Sequence, residues 1–232
     1  MGEITIINCQ QGSLDWHGYR LGRITSTTAA ALMTKGRGGK TSETAMKEIY
    51  RLKAEKRLKT EYKKEKLQEY LDRTNINSKA MQFGKATEDE ACGYYIGSTG
   101  IFMQSVGFVI PEWDDEIDLG KYWGDSPDGV YFDDETHKII GVLEIKCPNS
   151  ATWVKYVDKF DNGETLKEIE PQYYWQVCNH IAVSGAEWCD FVIYDPMLKD
   201  GYKCVRINRT DVAEDISALI ATIKTTIKTY LQ

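Results

Sequence analysis

The stretch Leu143-Glu144-Ile145-Lys146-Cys147-Pro148 constrains this chain most. It is an apolar, β-rich run with two charges inside it and a proline closing it, the pattern of a buried strand. Side chains alternate along a strand, so Glu144 and Lys146 share one face. Leu143, Ile145 and Cys147 take the other and point into a core. Charges in a run this apolar need a reason, because burying them unpaired is costly. Upstream, Ser126-Pro127-Asp128-Gly129 reads as a turn in which Pro127 fixes φ and Gly129 relaxes the backbone. Val130-Tyr131-Phe132 forms a short strand, and Asp133-Asp134-Glu135-Thr136 turns the chain back. A hairpin of these two strands brings Asp128 beside Glu144 and Lys146.

Two carboxylates make a hard oxygen site suited to magnesium, which takes carboxylates, waters and substrate phosphate. A lysine on the same side can orient or deprotonate an attacking water, or stabilise charge on a phosphate. Asp128, Glu144 and Lys146 therefore fit metal-assisted phosphodiester cleavage. Glu-x-Lys alone is also the ordinary pattern of an exposed ion pair on an amphipathic strand. The apolar strand and the rigid turn carrying Asp128 favour the catalytic reading.

The 232 residues are 42% hydrophobic and 28% charged, which fits one globular domain over 1–232. No apolar stretch reaches the roughly eighteen residues of a membrane span. Met1-Gly2-Glu3-Ile4-Thr5 lacks the basic region and apolar core of a signal peptide, so a cytoplasmic protein is expected. The cysteines, at 9, 92, 147, 178, 189 and 204, form no C-x-x-C pair and read as reduced, mostly core thiols. His17, His137 and His180 form no metal cluster. A net charge of −6 argues against indiscriminate nucleic-acid binding. Charge distribution matters more than the sum, and a basic groove can exist on an acidic protein.

Along the chain, 14–22 reads as a short helix stopped by glycine, and Ser/Thr residues at 25–27 suit the cap of a helix over 28–33. That terminus is either an ordinary cap or a phosphate site. Lys35-Gly36-Arg37-Gly38-Gly39-Lys40 is either a phosphate-wrapping loop or a solvated one. Helices are expected over 42–58 and 78–95, with 56–66 a solvated, charged helical face. Glu88, on the second of these, is a third metal ligand or a surface glutamate beside Lys85. Strands are expected over 101–110, 187–194 and 202–208, and helices over 150–160, 168–184 and 210–231. Gln176 either positions water or a phosphate oxygen, or is a buried, hydrogen-bonded glutamine. The resulting order predicts an α/β (α+β) fold, a central mixed sheet flanked by helices on both faces.

The chain resembles the lambda-exonuclease and YqaJ-type viral recombinase nucleases, within the restriction-endonuclease-like superfamily. The matching residues are Trp16-His17-x-x-Arg20-Leu21-Gly22-x-Ile24-Thr25, Phe83-Gly84-Lys85-x-x-Glu88-x-x-Ala91, Ser126-Pro127-Asp128-Gly129, Leu143-Glu144-Ile145-Lys146-Cys147-Pro148, Gln176-Val177 and Tyr194-Asp195-Pro196. The resemblance implies a magnesium-dependent 5′→3′ exonuclease on linear double-stranded DNA that releases mononucleotides and leaves 3′ single strands. It implies two magnesium ions, with manganese as a substitute, a ring-shaped homotrimer, a single-strand annealing partner and a phage or prophage origin. Carried over by motif, Glu88, Asp128, Glu144 and the Ile145 carbonyl fit metal ligands, and Lys146 fits the water-orienting group. Gln176 and Tyr173 fit positions near the scissile phosphate. Arg20, Thr27 and Arg37 fit a 5′-phosphate site beside Trp16, and Met81 fits the wedge that splits the terminal base pair. Thr27 stands where serine is usual, Phe83 where tryptophan is, and the segment 132–141 is longer here. The rival readings are a restriction-type endonuclease of the same superfamily and a catalytically silent scaffold that binds DNA ends.

Overall fold

A computed structural model of the chain describes residues 3–36, 38, 40–74, 79–112 and 116–232, with backbone alone for 79–85. Its centre is a four-stranded sheet in the order β3-β4-β5-β6, formed by Gly129–Phe132, Ile139–Lys146, Trp188–Tyr194 and Tyr202–Asn208. β3–β4 and β5–β6 are antiparallel, whereas β4 and β5 run parallel, so the sheet is mixed as expected. Parallel neighbours need a crossover. Here it is built from α6 (Ser150–Val157), α7 (Gly163–Ile169) and α8 (Pro171–Ser184).

Both faces of β4 are covered. Val142 belongs to the larger core, with Val177, Ile181, Phe191 and residues of α9 (Ala213–Thr226). Leu143 and Ile145 pack on the opposite side with Ala91 and Tyr95 of α5 (Lys79–Thr99) and with Val192 and Tyr194. The alternation read from the sequence therefore holds, and the charged face is also roofed. Glu144 is only 4% exposed, beneath α8.

Before the sheet come β1 (Ile4–Ile7), α1 (Leu14–Arg20), α2 (Ser26–Leu32), α3 (Glu43–Lys56) and α4 (Leu67–Thr74). α1 is capped by the Ser13 side chain and α3 by the Ser42 side chain, each accepting from the backbone three residues on. α1 ends before Gly22, whose φ of 71° is costly for other residues.

Several expected boundaries move. The strand expected over 101–110 is only β2 (Phe108–Pro111), which pairs with β1, a strand the sequence did not reveal. The helix expected over 28–33 begins at Ser26, and its cap residue, Thr25, makes no side-chain capping bond. The charged run 56–66 leaves the helix for a 3₁₀ turn, Thr60–Lys63, and α4 follows. The helix expected over 168–184 splits at Glu170: α7 has an Asn162–Thr165 capping box, and Pro171 starts α8. Only Cys178 and Cys189 are fully buried; the other four cysteines are half-buried, so the thiols are free but not mostly core.

Candidate active site

The site is assembled by β-pairing and capped by one helix. Gly129 pairs with Leu143, and the Asp128 N–H donates to the Leu143 carbonyl at 3.0 Å. The Ile145 N–H in turn donates to Asp128 Oδ2 at 2.7 Å. Two backbone contacts thus fix Asp128 across β4 beside Glu144. Glu88 of α5 is close enough to add to the negative potential at Asp128 and Cys147. Asp128 and Glu144 face each other, while Glu88 acts on Asp128 only as the weakest of its electrostatic neighbours.

Lys146 Nζ forms an ion pair with Glu144 Oε1, and its ammonium sits 5.6 Å from the centre of the Tyr173 ring. Tyr173, Gln176 and His180 recur on α8 at spacings of three and four, so they share the face turned to β4. Gln176 is 7% exposed between the other two.

His180 is the residue the sequence reading left without a role. It is fully buried, with Nδ1 2.6 Å from Asp125 Oδ2 and Nε2 2.8 Å from Glu144 Oε2. No acceptor lies well aligned with Nε2, so the second contact is an ion pair more than a directed hydrogen bond. Asp125 Oδ1 accepts from Asn179 Nδ2 at 2.9 Å, and Asn179 Oδ1 accepts from Trp123 Nε1 at 2.8 Å. The available signal was spacing: His180 lies one turn beyond Gln176, and Asp125 directly precedes the Ser-Pro-Asp-Gly turn.

The electrostatics follow from this packing. Burial alone would lower the His180 pKa, but Asp125 and Glu144 on either side raise it to about 10. Burial would raise Glu144, yet Lys146 and His180 hold it down at about 2. Burial opposes charge on Lys146 too, and Glu144 with Asp128 more than compensates, so Lys146 remains an ammonium. Asp128 is pushed up to about 8, first by burial and then by the facing Glu144 carboxylate.

Among the described residues, no group of three or more His, Cys, Asp or Glu is gathered tightly enough to hold a metal ion. Both Glu144 oxygens are engaged, one by Lys146 and one by His180. The donor set nevertheless suits a hard divalent cation. Asp128, in the turn before β3, and Glu144 on β4 are oxygen donors whose mutual repulsion a cation would relieve.

Of the end-binding residues expected from the sequence, Trp16 and Arg20 lie on α1 and Thr27 on α2. Trp16 Nε1 donates to Ser126 Oγ at 2.8 Å, which joins α1 to the turn that carries Asp128. The Arg20 guanidinium stacks 4.2 Å from the Trp16 ring centre. Burial lowers its pKa to about 10, against the opposing pull of Asp125, Glu55 and Glu144. Arg20 contacts Thr25 Oγ1, at 3.5 Å; Thr27 is exposed on the first turn of α2. Arg37 and the Met81 side chain lie outside the described residues.

This mixed sheet with its flanking helices is a restriction-endonuclease-like fold. A family model for the YqaJ-like viral recombinase domain matches residues 15–187, and the chain belongs to that family. Among solved structures, the chain is similar to an alkaline exonuclease from Laribacter hongkongensis. That likeness has 28% identity and a TM-score of 0.62, covering 93% of this chain and 95% of that one. The same exonuclease in complex with dAMP matches at 30% identity and a TM-score of 0.66, covering 94% and 91%. A phage-related exonuclease from Haemophilus somnus shares the fold at 12% identity and a TM-score of 0.52, covering 88% and 92%. No match is found among the curated proteins. Family and neighbours together support a nuclease. No helix among the described residues is long and apolar enough to cross a membrane.

Proposed function

We propose that the chain is a magnesium-dependent 5′→3′ exonuclease that degrades one strand of linear double-stranded DNA to mononucleotides. The observation that carries this reading is Asp128 fixed across β4 beside Glu144 and Lys146, under the Tyr173, Gln176 and His180 face of α8. The Laribacter relative complexed with dAMP supports release of single nucleotides.

Asp128, Glu144, Glu88 and the Ile145 carbonyl would hold the metal, with manganese as a substitute for magnesium. A bound divalent ion supplies a water acidic enough to attack at neutral pH and neutralises charge on the phosphate. Lys146, as an ammonium, orients that water and stabilises the developing negative charge. Gln176 and Tyr173 position the scissile phosphate from α8. Arg20, Thr27 and Arg37 receive the 5′-phosphate beside Trp16, and Met81 separates the terminal base pair. We further propose that the chain works as a homotrimer enclosing DNA and hands its 3′ strands to a single-strand annealing protein in the cytoplasm of a phage host.

The test is digestion of linear duplex labelled at its 5′ or 3′ ends, with magnesium or chelator, beside a closed circle of the same sequence. Magnesium-dependent release of 5′ label as mononucleotide, with the circle intact, is expected. Cutting of the circle would replace this reading by an endonuclease, and inertness with every divalent metal by a scaffold.

A further inference from the structure

A second cationic feature lies away from the acidic centre. Residues 51–66 contain eight Lys or Arg and three Glu, a local charge of +5 within a chain of −6. The end of this run borders a cavity of about 450 Å³ lined by Gly18, Leu21, Lys56, Lys63, Lys121 and Tyr122, among others. Glu55 also lines it, but its carboxylate is engaged by Arg51 and by the Gly22 N–H. Lys56, Lys63 and Lys121 form no ion pair with a carboxylate among the described residues. Lys56 Nζ lies 4.0 Å from the centre of the Tyr122 ring, and Lys121 Nζ lies 5.6 Å from the same ring. Two ammonium groups thus gather at one aromatic ring. Lys63 Nζ is tethered to the Lys56 carbonyl at 2.8 Å, which brings a third beside them.

Like charges gathered together lower one another's basicity, and here Glu55 offsets only part of that effect at Lys56. The Lys56 pKa falls to about 8, first through burial and then through Lys121, Arg23 and Lys63. An anion between them would relieve that repulsion. The donor chemistry favours a tetrahedral anion over a planar one. Lysines are compact, rotatable point charges, whereas planar carboxylates are best held by an arginine fork. The nearby arginine, Arg23, spends its guanidinium on the Gly120 and Tyr19 carbonyls.

The cavity is separate from the 5′-end site. Trp16 and Arg20 share one face of α1, being four residues apart. Gly18, which lines the cavity, lies about 200° round the helix from Trp16. Helix α1 thus stands between the two.

We propose that the Lys56–Lys63–Lys121 cavity holds a backbone phosphate of the DNA, a contact remote from the cleaved end. It rests on the nuclease reading for the identity of the phosphate's carrier. It also supplies the local basic surface an acidic protein needs to retain DNA.

The experiment compares the full chain with K56Q/K121Q and with the charge-conserving K56R/K121R. A fluorescent duplex is titrated without divalent metal over a salt series, and melting curves verify folding. Losing the contact to this one phosphate should flatten the slope of log K against log salt by about 0.9. K56R/K121R should keep the wild-type slope, and turnover at saturating DNA should stay unchanged in both variants. A slope unaltered in folded K56Q/K121Q overturns the proposal. Protection of Lys56 from an amine-reactive reagent identifies the carrier. Protection by duplex is expected. Protection by inorganic phosphate but not by duplex makes the cavity a free-anion site, and protection by polyglutamate alone makes it a protein-docking site; either overturns the DNA assignment. A flattened slope in a chain that cuts no DNA leaves the cavity standing and removes only the nuclease reading.

Discussion

His180 and Glu144 meet 2.8 Å apart in the core, an imidazole from the crossover helix held against a carboxylate from the central strand. Asp125 holds the imidazole from its other side. His180 therefore acts on the acidic centre through Glu144 and is a positioning residue. His180→Gln should weaken magnesium or manganese binding roughly 10–100-fold, the scale for groups that orient a metal's ligands. Calorimetric titration of the metal, beside a melting curve, checks this; wild-type metal affinity would sink the role.

Lys146 carries a different expectation, because it faces both carboxylates and the Tyr173 ring. Lys146→Ala should abolish cleavage while leaving DNA binding measurable. Full activity in that variant removes Lys146 from the chemistry.

The stacked pair of Trp16 and Arg20 should govern the choice of DNA end. Arg20→Gln is expected to reduce digestion of 5′-phosphorylated ends more than of 5′-hydroxyl ends. An unchanged ratio of the two rates would place the 5′-phosphate elsewhere.

Gly141 is required by packing. A Cβ there would fall 2.1 Å from the Trp188 ring, which the parallel pairing of β4 with β5 sets alongside. Arg206 stacks on that ring at 3.7 Å and clamps the buried Asp190 with two hydrogen bonds, so the ring has little room to yield. Gly141→Ala should cost about 1–3 kcal/mol of stability, as overpacking does. Chemical denaturation measures it, and a neutral result would mean that the ring moves freely.

Asp215 sets an acid limit. Burial would raise its carboxyl, but hydrogen bonds from Lys167, at 2.6 Å, and Tyr174, at 2.5 Å, hold it below the usual range. A group depressed by folding adds stability that is complete above its unfolded pKa and disappears as pH falls through its folded one. Asp215→Asn should therefore lower stability at neutral pH by about 1 kcal/mol. The loss should vanish at low pH, where Asp215 itself is protonated. The gap between the melting curves should narrow once the pH drops below the usual carboxylate range and close below the folded Asp215 pKa; a gap that stays constant in strong acid would contradict this role.

What could be read in advance depended on how local the cause was. Glu144 and Lys146 share a face because a strand alternates. The turn at Asp128 follows from its own proline and glycine. By contrast, β1 exists through its pairing with β2, about a hundred residues downstream. The break at Glu170 depends on a capping box at Asn162 that precedes it. His180 was visible only as a histidine in an apolar helix. Its role comes from Asp125 and Glu144, brought there by two other segments. The half-buried cysteines likewise reflect the path of α5 and the sheet edge, which composition does not encode.

The β3–β4 hairpin has two ends with opposite demands. At one, Asp128 is tied by hydrogen bonds to the backbone of Leu143 and Ile145, on either side of Glu144. At the other, the chain turns through exposed residues, with Thr136 on Asp133 and His137 at a φ of 54°. Between them the register of the strands shifts at Tyr131–Phe132, so the turn end does not continue the pairing that holds Asp128. The 133–137 turn is accordingly a place to graft a fluorophore or an affinity tag, from which DNA engagement can be watched without touching the machinery it reports on.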